Sequence, residues 1–236
     1  MEILRAEHLV KIFYSRQRVI RALDDVSFSI ESGEFVSIVG DSGSGKSTLI
    51  HILGTIDRPT SGKLFLREQD VFAQKPEQLA RFRRREVGIV FQFNNLLPSL
   101  SVEENIKLPA LLDSMQIDED YYKSLIEILG LQGREHDLPG MLSGGQQERV
   151  SIGRALINSP SIILADEPTG NLDTRKTREI IKLLRMLNRD YEQTILLITH
   201  DKDIALHTDR MLTIDNGRKT DDIPIRFNGG KYEDTV

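Results

Sequence analysis

Apolar and polar positions alternate along the first thirty residues, and few turn residues interrupt them. This period of two predicts the strands of a β layer at the N-terminus. A short apolar run follows at 34–39, then a glycine-rich turn, then helical spacing over 46–53. Further strands and a polar helix are predicted over 61–92, where the last strand-like run is 87–91.

The pattern changes after residue 92, because β-type runs disappear and helical spacing dominates up to about residue 159. Two buried-strand runs then return at 162–165 and 195–198, separated by an amphipathic helix over 175–189. Strands that alternate with helices predict a parallel sheet with right-handed crossovers. The chain therefore predicts one α/β domain: a core from 1–92 and 160–220, an inserted helical subdomain at 93–159, and a peripheral polar tail at 221–236.

Composition narrows the classes of function. The 236 residues include 31 basic and 36 acidic side chains, for a net charge of −5, and no cysteine. The missing cysteine excludes disulfides, thiolate metal sites and cysteine nucleophiles. An acidic chain is a poor match for a nucleic-acid backbone, so we expect no nucleic-acid partner. The N-terminus does not resemble a signal peptide and no apolar run is long enough to span a membrane, so action at a membrane is expected through another chain.

A phosphate-binding loop is predicted at 40–47, where GDSGSGKS matches the pattern G-x-x-x-x-G-K-[ST]. It directly follows a predicted strand and opens a predicted helix, so it is unlike a glycine-rich turn that merely contains a lysine. Backbone N–H groups and the helix N-terminus attract a phosphate there. Lys46 would neutralise the phosphate oxygens, and the Ser47 hydroxyl can bind Mg²⁺.

The second buried strand ends in two adjacent carboxylates, Asp166 and Glu167. Ligands of parallel sheets bind beyond the carboxyl ends of the strands. Asp166 would hold Mg²⁺, and Glu167 would orient the attacking water of phosphoryl transfer. Alone, such an ending is more often a strand followed by a solvated turn; the upstream phosphate loop favours the functional interpretation.

The string LSGGQ at 142–146 precedes another helical stretch. Ser143, with Gln146 three residues later, has the form of a capping box, which predicts a helix start with free N–H groups. A plain helix cap is the alternative, but such a helix end also binds an anion well.

Taken in order, these motifs resemble the nucleotide-binding subunit of an ABC transporter over residues 1–220: a phosphate loop, Gln92, LSGGQ, an acidic strand, Asn171-Leu172-Asp173 and His200. The resemblance implies a P-loop NTPase (RecA-like) core with an N-terminal antiparallel β layer and an inserted α-helical subdomain. It also implies hydrolysis of ATP with Mg²⁺. Two ATP molecules would lie between two copies arranged head to tail, and an integral-membrane permease would be the partner.

The resemblance also implies roles for individual residues. Glu167, His200 and Gln92 would be catalytic, and Ser47, Gln92 and Asp166 would hold the metal. His200 would bind the γ-phosphate and hold Glu167, and Asp173 would contact the opposite subunit. ATP would be contacted by the following loop and signature residues: Gly40, Ser42, Gly43, Ser44, Gly45, Lys46, Ser47, Thr48, Ser143, Gly144, Gly145, Gln146 and Asp173.

Members of this family place an aromatic ring on adenine near the N-terminus. Spacing aligns Phe13 with that position, and the neighbouring Tyr14 is the alternative. A third interpretation is an aromatic of the core.

The segment LADEPTGNLD at 164–173 is similar to the branch that serves macrolide export, lipoprotein release and cell division. It implies an ATPase subunit on the cytoplasmic side of the membrane, attached through a permease and driving export or force transmission. One alternative is a regulatory ATPase of the cell-division type that acts without transport. Another, an ABC ATPase acting on nucleic acid or ribosomes, is disfavoured because the chain carries one cassette and no zinc-binding cysteines.

Two clusters leave alternatives open. Apolar residues after Gln92 predict either a groove for a permease helix or the core of the helical subdomain: Phe93, Leu96, Leu97 and Leu100. Four arginines predict either a solvated helix face or a contact with membrane headgroups or the permease: Arg81, Arg83, Arg84 and Arg85.

Overall fold

The computed structural model describes residues 1–14 and 18–225. The strands are β1 (Glu2–Tyr14), β2 (Val19–Glu31), β3 (Phe35–Val39), β4 (Ser61–Leu66), β5 (Gln69–Asp70), β6 (Val87–Val90), β7 (Ile162–Asp166), β8 (Ile195–Ile198), β9 (Arg210–Asp215) and β10 (Arg218–Pro224). The helices are α1 (Lys46–Leu53), α2 (Pro76–Glu86), α3 (Val102–Leu112), α4 (Glu119–Ile128), α5 (Gly144–Leu156), α6 (Thr174–Tyr191) and α7 (Lys202–Ala205).

Two sheets form the framework. The N-terminal layer has the strand order β2-β1-β4-β5 with antiparallel neighbours. The second sheet has the order β10-β9-β3-β8-β7-β6, in which all neighbours from β9 to β6 are parallel and β10 is an antiparallel edge. Helices α3, α4 and α5 lie between β6 and β7 in the chain. The predicted fold class is therefore confirmed.

The parallel sheet is buried on both faces, as the mostly apolar strands β3, β7 and β8 require. Alternate residues of β7 enter different cores. Ile162 and Leu164 join the core beneath the N-terminal layer and α1. Ile163 and Ala165 join the core beneath α5 and α6. Since successive side chains of a strand point to opposite faces, a single strand binds the two cores together.

Helix α5 crosses β6 at very short range. A Cβ atom at Gly88 of β6 would lie 2.5 Å from the carbonyl oxygen of Ala155 in α5. Only a glycine permits this approach. The helix also packs against α3, so it joins the helical subdomain to the parallel sheet.

The arginine cluster of α2 makes ion pairs and hydrogen bonds within the chain. Arg81 and Arg85 are exposed as well, as the predicted solvated helix face requires, and a contact with membrane headgroups or the permease stays a prediction. Arg84 and Arg85 pair with Asp113 at the end of α3, and Arg81 lies 3.8 Å from the same carboxylate. Arg83 donates to the carbonyl of Thr55. The side chain of Asp113 is 2 % exposed, and its pKa is lowered, chiefly by the hydrogen bond from Arg85. The cluster therefore ties α2 to the helical subdomain.

The polar tail predicted from residue 221 begins too early. Strand β10 continues to Pro224 and pairs with β9 up to Arg210. Arg210 donates to both carboxylate oxygens of Asp222, over 2.6 and 2.8 Å. The residues are polar because the strand lies at a sheet edge, where side chains meet water. Residues 226–236 of the predicted tail lie outside the described residues.

The Arg210–Asp222 pair predicts a pH-dependent contribution to stability. The hydrogen bond from Arg210 lowers the pKa of Asp222 to about 2. A depressed folded-state pKa stabilises the fold above the ordinary pKa of aspartate, and this stabilisation is lost as the pH falls from about 4 to 2. Asp222→Asn should therefore lower the free energy of unfolding at pH 7 by about 1 kcal/mol, since partial exposure screens the pair. Urea unfolding at several pH values measures this; a deficit that persisted near pH 2 would contradict it.

Candidate nucleotide-binding site

The loop between β3 and α1 has the conformation that the phosphate-loop pattern demands. Gly45 caps α1 with φ at 109°, a left-handed conformation. A Cβ atom there would lie 2.3 Å from the carbonyl oxygen of Ala22 in β2. On the loop's other side, the Gly217 N–H donates to the Ser44 carbonyl over 2.9 Å. The loop is therefore held between the N-terminal layer and the β9–β10 turn.

Lys46 lies across this loop. Its ammonium donates to the carbonyls of Gly40 and Asp41 over 2.7 and 2.8 Å, and the residue is buried. Ser47 follows in the first turn of α1 and is exposed. A cation, a helix N-terminus and an accessible hydroxyl thus lie together at the start of α1. This arrangement suits a phosphate with its metal ion.

The carboxylates of Asp166 and Glu167 at the end of β7 lie opposite the phosphate loop. Burial raises the pKa of Asp166, and the neighbouring Glu167 raises it further, whereas His51 and Lys46 of α1 act in the opposite direction. This electrostatic contact brings Asp166 and the phosphate loop into one site. Two adjacent carboxylates in a partly buried position favour a bound cation.

The oxygen donors at this position fit Mg²⁺. Ser47 offers a hydroxyl, Asp166 a carboxylate and Gln92 an amide oxygen, which are the hard ligands that Mg²⁺ prefers. Mg²⁺ retains several waters and needs few protein ligands. Among residues 1–14 and 18–225, no group of three or more His, Cys, Asp or Glu side chains is arranged to hold a metal.

Three predicted catalytic residues meet at the carboxyl ends of β6, β7 and β8. The amide of Gln92 donates to Oε2 of Glu167 over 3.4 Å. Nδ1 of His200 lies 3.2 Å from Oε1 of the same carboxylate. Glu167 has φ at 45°, which is uncommon outside glycine and typical of functional positions. The side chains of Gln92 and His200 therefore hold the Glu167 carboxylate from two sides.

The signature segment forms the predicted capping box at the start of α5. The Ser143 N–H donates to the side chain of Gln146 over 2.9 Å, and the Gln146 N–H donates back to the Ser143 hydroxyl over 3.4 Å. Added Cβ atoms would lie 3.4 Å from Leu172 at Gly144 and 3.4 Å from Lys176 at Gly145. The signature therefore packs on the start of α6.

Asp173 caps α6 beside the signature. It accepts from the Lys176 N–H over 2.9 Å, and it pairs with the Lys176 ammonium at 3.1 Å. Since Lys176 also lies against Gly145, Asp173 and the signature belong to one surface. Ser143, Gly144 and Asp173 are exposed on it.

Phe13 and Tyr14 are both exposed at the end of β1. As consecutive strand residues they point to opposite faces of the N-terminal layer, so only one of them can face a bound nucleotide. The Phe13 ring lies 5.0 Å from the Lys11 ammonium. Adenine stacking on Phe13 stays a prediction, with Tyr14 as its alternative.

Sequence reasoning assigned no role to two residues of this site. Asn171 donates to the carbonyl of Gln92 over 3.0 Å and so positions the backbone of a predicted catalytic residue. His51 lies on α1, and its electrostatic effect on Asp166 lowers the pKa of that carboxyl. The signal for His51 was its spacing, because it lies one helical turn after Ser47. Asn171 is part of the recognised motif, but its partner is 79 residues away.

Comparisons with known proteins identify the family. A family model described as ABC transporter matches residues 23–170. The chain is 42% identical to the lipoprotein-releasing system ATP-binding protein LolD of Cytophaga hutchinsonii, over 92% of this chain and 98% of that protein. It is 44% identical to the macrolide export ATP-binding/permease protein MacB of Hyphomonas neptunium, over 92% of this chain. The chain belongs to the ABC transporter family, and its relatives lie in the branch of macrolide export and lipoprotein release.

Solved structures agree. The dimeric structure of MJ0796, a bacterial ABC transporter cassette, has a TM-score of 0.86 and 36% identity, covering 95% of this chain and 99% of that one. A post-hydrolysis dimer of the same cassette, bound to ADP and Pi, has the same TM-score at 35% identity. The chain is thus an ATPase subunit of the ABC type.

Relatives differ in length. The chain spans 34% of the MacB protein of Hyphomonas neptunium but nearly all of the LolD protein. Within residues 1–14 and 18–225, every helix is too short or too polar to cross a bilayer.

Replacement of Lys46 tests the phosphate loop. Lys46→Ala should weaken ATP binding at least about tenfold, because the charge nearest the phosphates is lost. Titration with a fluorescent ATP analogue measures the dissociation constant. Lys63→Ala removes an exposed lysine of β4 and is the matched control. Unchanged affinity in Lys46→Ala would contradict the assignment.

Proposed function

We propose that two copies of this chain bind two ATP molecules with Mg²⁺ between them, head to tail, and that closure of this dimer drives a membrane permease. The observation that carries the proposal is the group formed by Gln92, Glu167 and His200. These side chains lie within hydrogen-bonding reach at the carboxyl ends of parallel strands, and Asp166 and the phosphate loop lie beside them.

Hydrolysis needs a positioned water and charge stabilisation more than covalent chemistry. The Glu167 carboxylate accepts from Gln92 and faces His200, so its orientation is set before a water arrives. With both ring nitrogens protonated, His200 donates through Nδ1 to Glu167 and through Nε2 to the γ-phosphate. Glu167 then polarises the attacking water.

The phosphate end of ATP is held by the loop and α1. Lys46 would exchange its carbonyl contacts for phosphate oxygens, which are stronger acceptors because they are charged. Ser47, Gln92 and Asp166 would hold Mg²⁺, which when bound neutralises the β- and γ-phosphate charge.

A second copy would complete the site with its signature. Ser143 and Gly144 are exposed at the start of α5, where free N–H groups and the helix dipole attract an anion. Asp173 lies on the same surface. The dimeric MJ0796 cassettes support this arrangement.

Attachment to the membrane would use the surface beside Gln92. Phe93 is 69 % exposed and Leu97 is exposed as well, whereas Leu96 packs on the core. A cleft of about 460 Å³ adjoins Phe93 and is bounded by the 92–98 segment, the 139–148 segment and the Asn171 loop. We assign this cleft to a permease helix, which would place the chain on the cytoplasmic side of the membrane. Whether dimer closure drives export or transmits force would depend on the permease to which the chain is attached.

Glu167→Gln tests hydrolysis and dimer closure together. The variant should bind ATP but turn it over at least about 100-fold more slowly, because the water loses its polarising carboxylate. It should therefore accumulate as an ATP-bound dimer, measured by light scattering after size exclusion and by phosphate release. Glu127→Gln, an exposed change on α4, is the matched control. Normal turnover in Glu167→Gln would contradict the role of this carboxylate.

Co-purification tests the permease. The tagged Glu167→Gln variant, extracted from source cells in detergent with ATP and Mg²⁺, should retain a multi-spanning membrane protein detectable by mass spectrometry. Its trapped dimer gives the partner time to stay bound. Ribosomes or nucleic acid without a membrane protein would leave the ATPase intact and contradict the transporter role.

A further inference from the structure

The Lys11 side chain is held in a fixed position beside the exposed ring of Phe13. Its ammonium pairs with the Asp57 carboxylate at 2.7 Å and donates to the Arg58 carbonyl over 2.7 Å. The same ammonium lies over the Phe13 ring, 5.0 Å from the ring centre. The Lys11 side chain is only 13 % exposed. Three contacts therefore hold a cation that lysine usually extends into water.

The segment that holds Lys11 is itself fastened to β1 and to α1. The Ile12 N–H donates to the Thr60 hydroxyl over 2.9 Å, and the Thr60 N–H donates to the Val10 carbonyl over 2.7 Å. The Asp57 N–H donates to the carbonyl of His51 in α1 over 3.1 Å. The partners of the ammonium are thus joined by hydrogen bonds both to the strand that carries the ring and to the helix that the phosphate loop opens.

Phe13 lies on the face of β1 that is turned towards the phosphate loop. Lys11 pairs with Leu23 of β2, and Cδ2 of Leu23 would lie 3.2 Å from a Cβ atom at Gly45 of the loop. Paired residues of antiparallel strands share a face, and so do strand residues two positions apart, such as Lys11 and Phe13. The register shifts beside Lys11, but the extra residue, Ala22, is on β2, so the alternation along β1 is kept.

The cation occupies one face of the Phe13 ring. The residue is 43 % exposed, so ring surface remains open to a ligand. Tyr14 follows directly in the strand and points to the opposite face of the layer, away from the phosphate loop. An open aromatic face beside a phosphate site is a stacking surface for a nucleotide base.

We propose that Lys11 is a positioning residue of the nucleotide site, which holds the Phe13 ring by one face so that the other face stacks on the adenine of ATP. The inference rests on the proposed function, and it assigns the stacking ring to Phe13 rather than to Tyr14. An exposed side chain loses rotamer freedom when it becomes ordered on a ligand. Because the fixed ammonium restrains the ring beforehand, part of this cost is removed before ATP binds.

The test compares ATP with inorganic triphosphate, which offers the phosphate loop the same charge but has no base to stack. Lys11→Met removes the cation and keeps a long side chain, whereas Lys11→Arg keeps a cation. Lys63→Met, an exposed change on β4, is the matched control. Isothermal titration calorimetry of the full chain with Mg²⁺ measures each dissociation constant, and the unfolding temperature of each variant is measured alongside.

Lys11→Met should bind ATP at least about threefold more weakly, but triphosphate within about twofold of the parent chain. Lys11→Arg should stay within about twofold for both. Phe13→Ala should bind ATP at least about fivefold more weakly, and Tyr14→Ala should bind it within about twofold of the parent. Added to Phe13→Ala, Lys11→Met should weaken ATP binding no further, because both residues act through one ring.

A residue that served only the fold would lower the unfolding temperature and weaken ATP and triphosphate equally, and that result would overturn the inference. Parent-like ATP affinity in Lys11→Met would also overturn it, as would a loss of ATP affinity in Tyr14→Ala without one in Phe13→Ala. In these cases the parent chain still binds ATP, so the proposed function stands. A parent chain that fails to bind ATP would overturn the proposed function, and this inference with it.

Discussion

The parallel pairing of β7 between β6 and β8 determines where the three proposed catalytic side chains lie. Val90 pairs with Ala165, and Asp166 pairs with Ile198, so Gln92, Glu167 and His200 leave the sheet at the same edge. The strands are buried on both faces, and a slip of one residue would exchange the faces of both cores. The catalytic geometry is therefore as secure as the core packing.

Burial and function compete at several positions. Asp166 ends a buried strand beside Glu167, and burial and the neighbouring carboxylate both raise its pKa because they disfavour the charged form. Glu167 holds a left-handed backbone, which is unfavourable for a residue other than glycine. Elsewhere the chain neutralises its buried charges, as the arginines around Asp113 show. Asp166 and Glu167 are thus two adjacent residues at which the proposed site accepts an unfavourable charge and an unfavourable backbone.

Most of the features that the sequence predicted correctly are local in the chain. The phosphate loop, the capping box and the buried strands depend on residues within a few positions of each other, so their spacing predicted them. The contacts of Asn171 with Gln92 and of Arg154 with Asn94 span more than 50 residues, and no periodicity encodes them. Strand β10 was missed because its polar edge resembles a tail.

The two ends of helix α5 lie at two different parts of the proposed site, the signature segment and the loop after Gln92. Its N-terminal end, with Ser143 and Gly144, would face the nucleotide of a second copy in the proposed dimer, and its last turns hold the loop after Gln92 through Arg154. The close contact between Gly88 and Ala155 leaves it no room to slide on the sheet. In a head-to-tail pair it would behave as a stiff rod with one end in each reaction centre. A displacement of α5 at one ATP site would then move its other end at the second ATP site without deforming the sheet. The two sites would therefore open and close together.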